Sequence, residues 1–459
     1  MASQIATNER INMDDLPLKA FHIKITALTF GAHLTDGYVL GTIGMAIIFM
    51  QNQMTLSPVW QGLIGASALI GLFFGSLILG GISGKIGRQK IFMFNFITIT
   101  LFSLLQFFVT GPATLFICRV LIGFALGGDY AVGVALLAEF APKKSRGVLL
   151  GALSVVWTVG YVAANIIGVV LMPSADPGIW RWLLASAAIP AAIVLILRIG
   201  TPESPRWLES KGRRDEAEAI VHKYLGANVY MDPEPAAPKK VSYFDLFNKE
   251  NRKRTAFGGL FFMAIVIPYF AIYTFLPLIL TTMNLSETWT VDLVLNLMLI
   301  LGGLAGLWMT IKMTRRGFTL WSFGIMAVAL MVLTFIPGAA VQIIAFLIFT
   351  FFMTAISNLT GVYPPELFPT NLRSQGVGMC TAISRLGAAT GTYLLPVGIA
   401  GIGFTPTMLA LACVLAFGFS MSYFWAPETK DANLVKSAEI KLGDTMGVPV
   451  KINTADNEV

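Results

Sequence analysis

Glu139-Phe140-Ala141-Pro142, followed by Arg146, returns 227 positions later as Glu366-Leu367-Phe368-Pro369, followed by Arg373. The same displacement carries Lys85 onto Lys312 and Arg88 onto Arg315, and one of 225 carries Pro202-Glu203 onto Pro427-Glu428. Charged and proline landmarks that recur at nearly one offset mark an internal duplication. Around them the chain is apolar, with 56% hydrophobic residues, 12% charged and a mean hydropathy of +0.73. A soluble domain carries roughly a quarter of its residues charged, so most of this surface faces lipid. Runs of the about 20 apolar residues that a spanning helix needs recur from Ile23 to Trp425. They predict helices near 23–51, 58–83, 89–110, 113–140, 147–172 and 179–199, then near 255–283, 289–312, 318–337, 340–365, 374–401 and 405–425. The expected fold is an all-α membrane protein of twelve transmembrane helices in two pseudo-symmetric six-helix halves. Transporters built from parallel repeats place their site between such halves, at mid-membrane.

The net charge of +7 invites a nucleic-acid partner, but its distribution answers otherwise. Lys85, Arg88 and Lys90, then Lys143, Lys144 and Arg146, then Lys312, Arg315 and Arg316, then Arg373 occupy alternate short connections. The other connections are almost devoid of Lys and Arg, Arg181 excepted. Basic residues are retained on the cytoplasmic side, which puts both termini inside. The segments expected are a cytoplasmic tail at 1–22, a six-helix bundle at 23–199, a cytoplasmic loop at 200–254, a second bundle at 255–425 and a cytoplasmic tail at 426–459. Met1 to Leu18 is polar and does not read as a cleaved signal. Cys118, Cys380 and Cys413 sit inside apolar runs, and His22, His33 and His222 are scattered, so neither a disulfide framework nor a metal site is expected.

Ionisable residues inside a membrane cost about 2.5–3.5 kcal/mol each on insertion scales, so each calls for a reason. Asp36 in the first run lies near mid-membrane, with His33 three residues earlier on the same helix face. Arg119 and Asp129 share the fourth run, and Arg385 lies twelve residues after Arg373, about 18 Å along the eleventh. Asp36 and Arg119 either pair to hold two helices together or form a proton switch, in which a changing distance between them alters whether Asp36 holds a proton. His33 is a relay or a structural histidine, and Asp129 a second proton site, a substrate partner or a structural bond. Arg385 presents a planar fork suited to a carboxylate or phosphate, or pairs across the halves with Asp36 or Asp129. Tyr38, Tyr130, Trp157, Tyr161, Tyr269, Tyr273, Asn358 and Tyr393 fall at compatible depths for an organic ligand with a ring or several oxygens. At the cytoplasmic ends, Glu139 with Arg146, Glu366 with Arg373 and Glu203 with Arg206 are expected to link the halves as a gate, joined by Arg88, Arg315 and Glu428.

Gly80-Gly81-Ile82-Ser83-Gly84-Lys85-Ile86-Gly87-Arg88-Gln89-Lys90 resembles the loop between helices 2 and 3 of the major facilitator superfamily, with Gly84 where that loop usually has Asp. Pro202-Glu203-Ser204-Pro205-Arg206-Trp207 and Pro427-Glu428-Thr429-Lys430 resemble the marks that close helices 6 and 12 in its sugar-porter branch, and Gly127-Gly128-Asp129-Tyr130 resembles the phosphate–proton symporters and the synaptic-vesicle-glycoprotein-like metabolite symporters. The resemblance spans essentially the whole chain and implies alternating access by two rocking halves. Two features depart from sugar porters: Val39 stands where helix 1 usually carries an acid, and Ile267-Pro268-Tyr269-Phe270-Ala271-Ile272-Tyr273-Thr274 contains none of the glutamines that hold a hexose. The expectation is therefore a secondary transporter, with no cofactor and no enzymatic activity, that symports protons with a small organic solute. An organic anion is preferred; a sugar or polyol, a uniporter or a non-transporting sensor remain alternatives. It is expected in a bacterial inner membrane, acting as a monomer on a small molecule and protons, with no nucleic acid.

Overall fold

The computed structural model describes residues 11–51, 53–171, 174, 176–231, 243–249, 251–283, 289–369 and 372–430; the rest of the expected tails and of the 200–254 loop lies outside them. Twelve helical spans follow one another in these residues. The first half comprises α1 (Ala20–Gln51), α2 (Pro58–Ile86), α3 (Arg88–Leu105), α4 (Pro112–Phe140), α5 (Lys143–Leu171) and α6 in two pieces, Ile179–Ala185 and Ala188–Arg198. The second comprises α7 (Arg252–Thr274, then Leu276–Thr282), α8 (Trp289–Lys312), α9 (Arg315–Phe335), α10 (Ala339–Ser357, then Leu359–Leu367), α11 (Arg373–Ile402) and α12 (Phe404–Trp425). Eleven of the helices among the described residues are long and apolar enough to cross a membrane. The remaining span, α11, is 30 residues long and carries Arg385.

Local chemistry sets the ends and the breaks. Ser57 caps α2 by accepting from Trp60 N (3.3 Å), with Pro58 in the first turn, where its missing N–H is no loss. Three spans expected to be continuous are broken instead. Pro190 has no N–H to offer the Ser186 carbonyl, where α6 parts, and Pro277 has none for Tyr273, where α7 parts. In α10 the break falls at Asn358, whose side-chain amide bonds the carbonyls of Thr354 and Ala355 at 3.3 and 3.2 Å.

Glycine lets α2 and α4 meet backbone to backbone: a side chain at Gly71 or Gly75 would collide with the α4 carbonyls of Val120 and Phe124. The duplication is visible in the ion pairs. Arg88 binds Glu139, and at the equivalent place Arg315 binds Glu366 through two contacts of 3.2 Å. Glu203 accepts from the amides of Arg88 and Gln89 at the start of α3, as Glu428 accepts from those of Arg315 and Arg316 at the start of α9.

Beside the first half sits a small module absent from the sequence reading. Two helices, Pro205–Ser210 and Arg214–Leu225, pack with the N-terminal segment around Met13, Leu16, Trp207, Val221 and Leu225. A parallel pair of two-residue strands, β1 (Ile11–Asn12) and β2 (Val229–Tyr230), closes it.

Candidate transport site

On α1, residues three apart share a face, and His33 and Asp36 point at Asp129 of α4. His33 Nδ1 lies 4.0 Å from Asp129 Oδ2, and one ligand atom from each of the three residues lies within 4.8 Å of the others. Asp36 and Asp129 are fully buried, and neither carboxylate accepts a hydrogen bond among the described residues. Asn95 of α3 holds this turn of α4: with its amide oriented to suit its neighbours, it donates to Ile91 O (3.2 Å) and accepts from Asp129 N (3.0 Å). Two carboxylates and an imidazole are donor types that a cation takes as well as a proton, and His33 meets its acids only through folding.

Arg385 of α11 approaches from the other half. It is 7% exposed, and among the described residues it makes no hydrogen bond and no ion pair within 4.0 Å. Its surroundings are rings: the guanidinium carbon lies 5.1 Å from the centroid of Tyr130 and 5.9 Å from those of Phe262 and Phe270. Trp157 stacks on Tyr161 at 5.7 Å and lies 6.1 Å from Tyr269, which is 5.0 Å from Tyr273. Tyr161 donates its hydroxyl proton to Tyr273 O at 2.8 Å, taking up the carbonyl that Pro277 leaves free and joining the halves.

Other candidates lie elsewhere. Arg119 does not pair with Asp36: ten residues separate it from Asp129, about 15 Å along α4, and its fork reaches Val39 O at 3.4 Å. Tyr38 turns to α6, its hydroxyl 2.6 Å from Ser186 Oγ. Asn358 serves the α10 break, donating to Gly303 O (3.0 Å) and accepting from Ser154 Oγ (3.1 Å). Tyr393 sets its backbone against Gly62 at the closed end of the bundle, where Gly44 meets Thr274 and Gly65 meets Phe275.

The pairings at the helix ends expected to form the cytoplasmic gate also differ. Arg146 is turned to Ala141 O and, with Arg206, to Asp14 Oδ1 (2.7 Å each), so its pairing with Glu139 is replaced by Arg88. Arg373 donates to Pro365 O at 3.0 Å, while Glu366 holds Arg315 and accepts from Thr429 Oγ1 at 2.6 Å. These contacts each lie within one half rather than between halves, because the connections of one half fold back on their own helix ends. Burial works against ionisation of Asp14, but Arg206 and Arg146 outweigh it and hold its carboxyl below the usual range. Sequence reading also missed Arg198, buried at the end of α6 with its guanidinium 3.4 Å over the Phe92 ring and its Nε donating to Gln89 Oε1 at 3.2 Å. Nothing local marks it apart from other basic helix ends.

The sequence profile of the family described as "Sugar (and other) transporter" matches residues 24–440. The chain belongs to that family. It is a multi-pass membrane transporter of the major facilitator superfamily, not an enzyme. An inner membrane metabolite transport protein of Escherichia coli, YgcS, is 53% identical over 94% of this chain and 97% of its own length. More distant transporters in Acinetobacter baylyi are a niacin transporter (24% identical; 92% of this chain, 98% of its own) and a benzoate transport protein (26%; 86% of each). The fold is shared with the E. coli xylose transporter XylE, whose structure in a partially occluded inward-open conformation matches with a TM-score of 0.76 and 19% identity over 90% of this chain and 100% of that one.

Proposed function

We propose that this transporter carries a small organic anion by proton-coupled symport, with Arg385 receiving the substrate carboxylate and Asp36, Asp129 and His33 handling the proton. One observation carries the reading: Arg385 is buried and, among the described residues, makes no hydrogen bond or ion pair, its Nε orphaned, while the carboxylates of Asp36 and Asp129 accept no hydrogen bond either. A guanidinium in that position is costly unless an anion completes it. Coupling follows from the charges. An arriving anion occupies the guanidinium that otherwise attracts Asp36, and the acids then need a proton to lie beside a bound negative charge. Release of both toward the cytoplasm resets the site. With basic connections and termini inside, the end closed by Gly44, Gly62 and Gly65 is the outer one. The benzoate and niacin relatives act on molecules that carry a carboxylate, which supports the anion assignment.

The test is uptake into proteoliposomes under an imposed pH gradient, screened with carboxylates, sugars and polyols. Arg385→Ala should weaken the best acid ten- to a hundredfold, the scale of a lost charge-assisted bond of about 1.5–3 kcal/mol, and Arg385→Lys should restore only part of it. Asp36→Asn should abolish uphill uptake while leaving counterflow exchange partly intact. Accumulation driven by sodium or a divalent ion instead of the pH gradient would reassign the His33–Asp36–Asp129 trio to a metal cation. Equal affinity of the acid for all three Arg385 forms would end the anion reading.

A further inference from the structure

Resting on the anion reading above, we infer that the substrate is a planar aromatic monocarboxylate, its carboxylate on the Arg385 fork and its ring among the side chains around Trp157. Most side-chain amide donors that would recognise a hydroxyl-rich ligand are turned to backbone carbonyls, although among the described residues the Tyr273 hydroxyl and Asn296 Oδ1 make no hydrogen bond. Asn165 donates to Tyr161 O (3.1 Å), Asn296 to Asp292 O (2.8 Å) and Asn358 to three carbonyls at 3.0–3.3 Å. Hydroxyls near the site turn back on their own helices: Thr35 to Gly31 O, Thr158 to Ser154 O and Ser384 to Thr381 O. A sugar needs paired donors and acceptors at several positions, and these groups offer few.

What the site does offer is one fork and several ring faces. Tyr130, Phe262 and Phe270 surround the guanidinium, and Trp157 meets Phe270 edge-on at 6.3 Å. Trp157 and Tyr130 are half-buried while Tyr161, Tyr269 and Tyr273 are buried, so the accessible side of the cluster is the indole and the Tyr130 phenol. Among the described residues the buried indole Nε1 makes no hydrogen bond. A flat ring gains face and edge contacts there and stacks on a guanidinium plane as well. Asp36 and Asp129 set the limit of one carboxylate, because a second would face two acids in a water-poor interior.

The experiment is calorimetric titration of the purified full-length protein with benzoate, cyclohexanecarboxylate, phthalate, benzamide and xylose. Benzoate should bind about tenfold tighter than cyclohexanecarboxylate, which has the same charge and ring size without the π face, and tighter than phthalate. Trp157→Leu should bring the two ring acids to equal affinity, Trp157→Phe should keep most of the preference and show that the site is folded, and Arg385→Ala should weaken both acids. Equal affinity of benzoate and cyclohexanecarboxylate in the unaltered protein overturns the ring assignment, a preference for phthalate overturns the limit of one carboxylate, and either result leaves the anion reading in place. Benzamide binding as well as benzoate, xylose binding alone, or no acid binding at all overturns both.

Discussion

Pro277 and Tyr161 show how a single missing hydrogen acts at a distance. The proline cannot donate to Tyr273 O, the freed carbonyl accepts from Tyr161 across the two halves, and the closed end gains a directional bond. A neutral hydrogen bond contributes about 0.5–1.5 kcal/mol net, so Tyr161→Phe should shift the resting population toward the outward-facing state by roughly two- to tenfold. Labelling of a cysteine introduced at Tyr393 by an impermeant reagent should rise accordingly; unchanged labelling would show that the bond follows closure without favouring it. At this scale the sequence was a partial guide. Asp36, Asp129 and Arg385 announced themselves, since charge inside an apolar run needs a reason and no neighbour is required to see it. Their partners did not, because spacing along α4 alone does not say whether Asp36 sits level with Arg119 or with Asp129.

The N-terminal segment and the helices after α6 form an element that no periodicity could reveal, because its core draws on Met13 and Leu16 and on residues about two hundred positions later. Its polar centre is Asp14, which bridges Arg146 at the start of α5 and Arg206 after α6. Since the carboxyl is held below its unfolded value of about 3.9, its stabilisation is present above that pH and lost as pH falls through the folded value. The site is about a third exposed, so each pair is worth no more than about 1 kcal/mol. Asp14→Asn should therefore lower the melting temperature at neutral pH, with the difference from the parent protein vanishing in acid. A difference that persists unchanged below the carboxylate range would assign the effect to packing. The membrane helices were legible because each needs a long apolar run, whereas the breaks in α6 and α7 depended on weighing one proline against the run around it.

Over the whole molecule, two six-helix halves meet through small residues at one end, and closure there leaves Gly62 no room for a side chain beside Tyr393. Gly62→Trp should hold that end apart, raise labelling at Tyr393 and stop turnover while leaving the protein folded; normal transport would mean that α2 and α11 separate less than proposed. The duplication could be read from landmarks at one offset, and with it the fold. The pairings at those landmarks could not, since Glu139 lies seven positions from Arg146 yet binds Arg88 across a helix end. One consequence concerns assembly. Glu203 fastens the chain after α6 to the start of α3, and Glu428 fastens the chain after α12 to the start of α9. Each half thereby carries its own fastening, and the covalent link between them is not what gives either its shape. Genes encoding residues 1–231 and 243–459 as separate polypeptides should yield two fragments that co-purify from the membrane and restore uptake together, and neither fragment alone should transport.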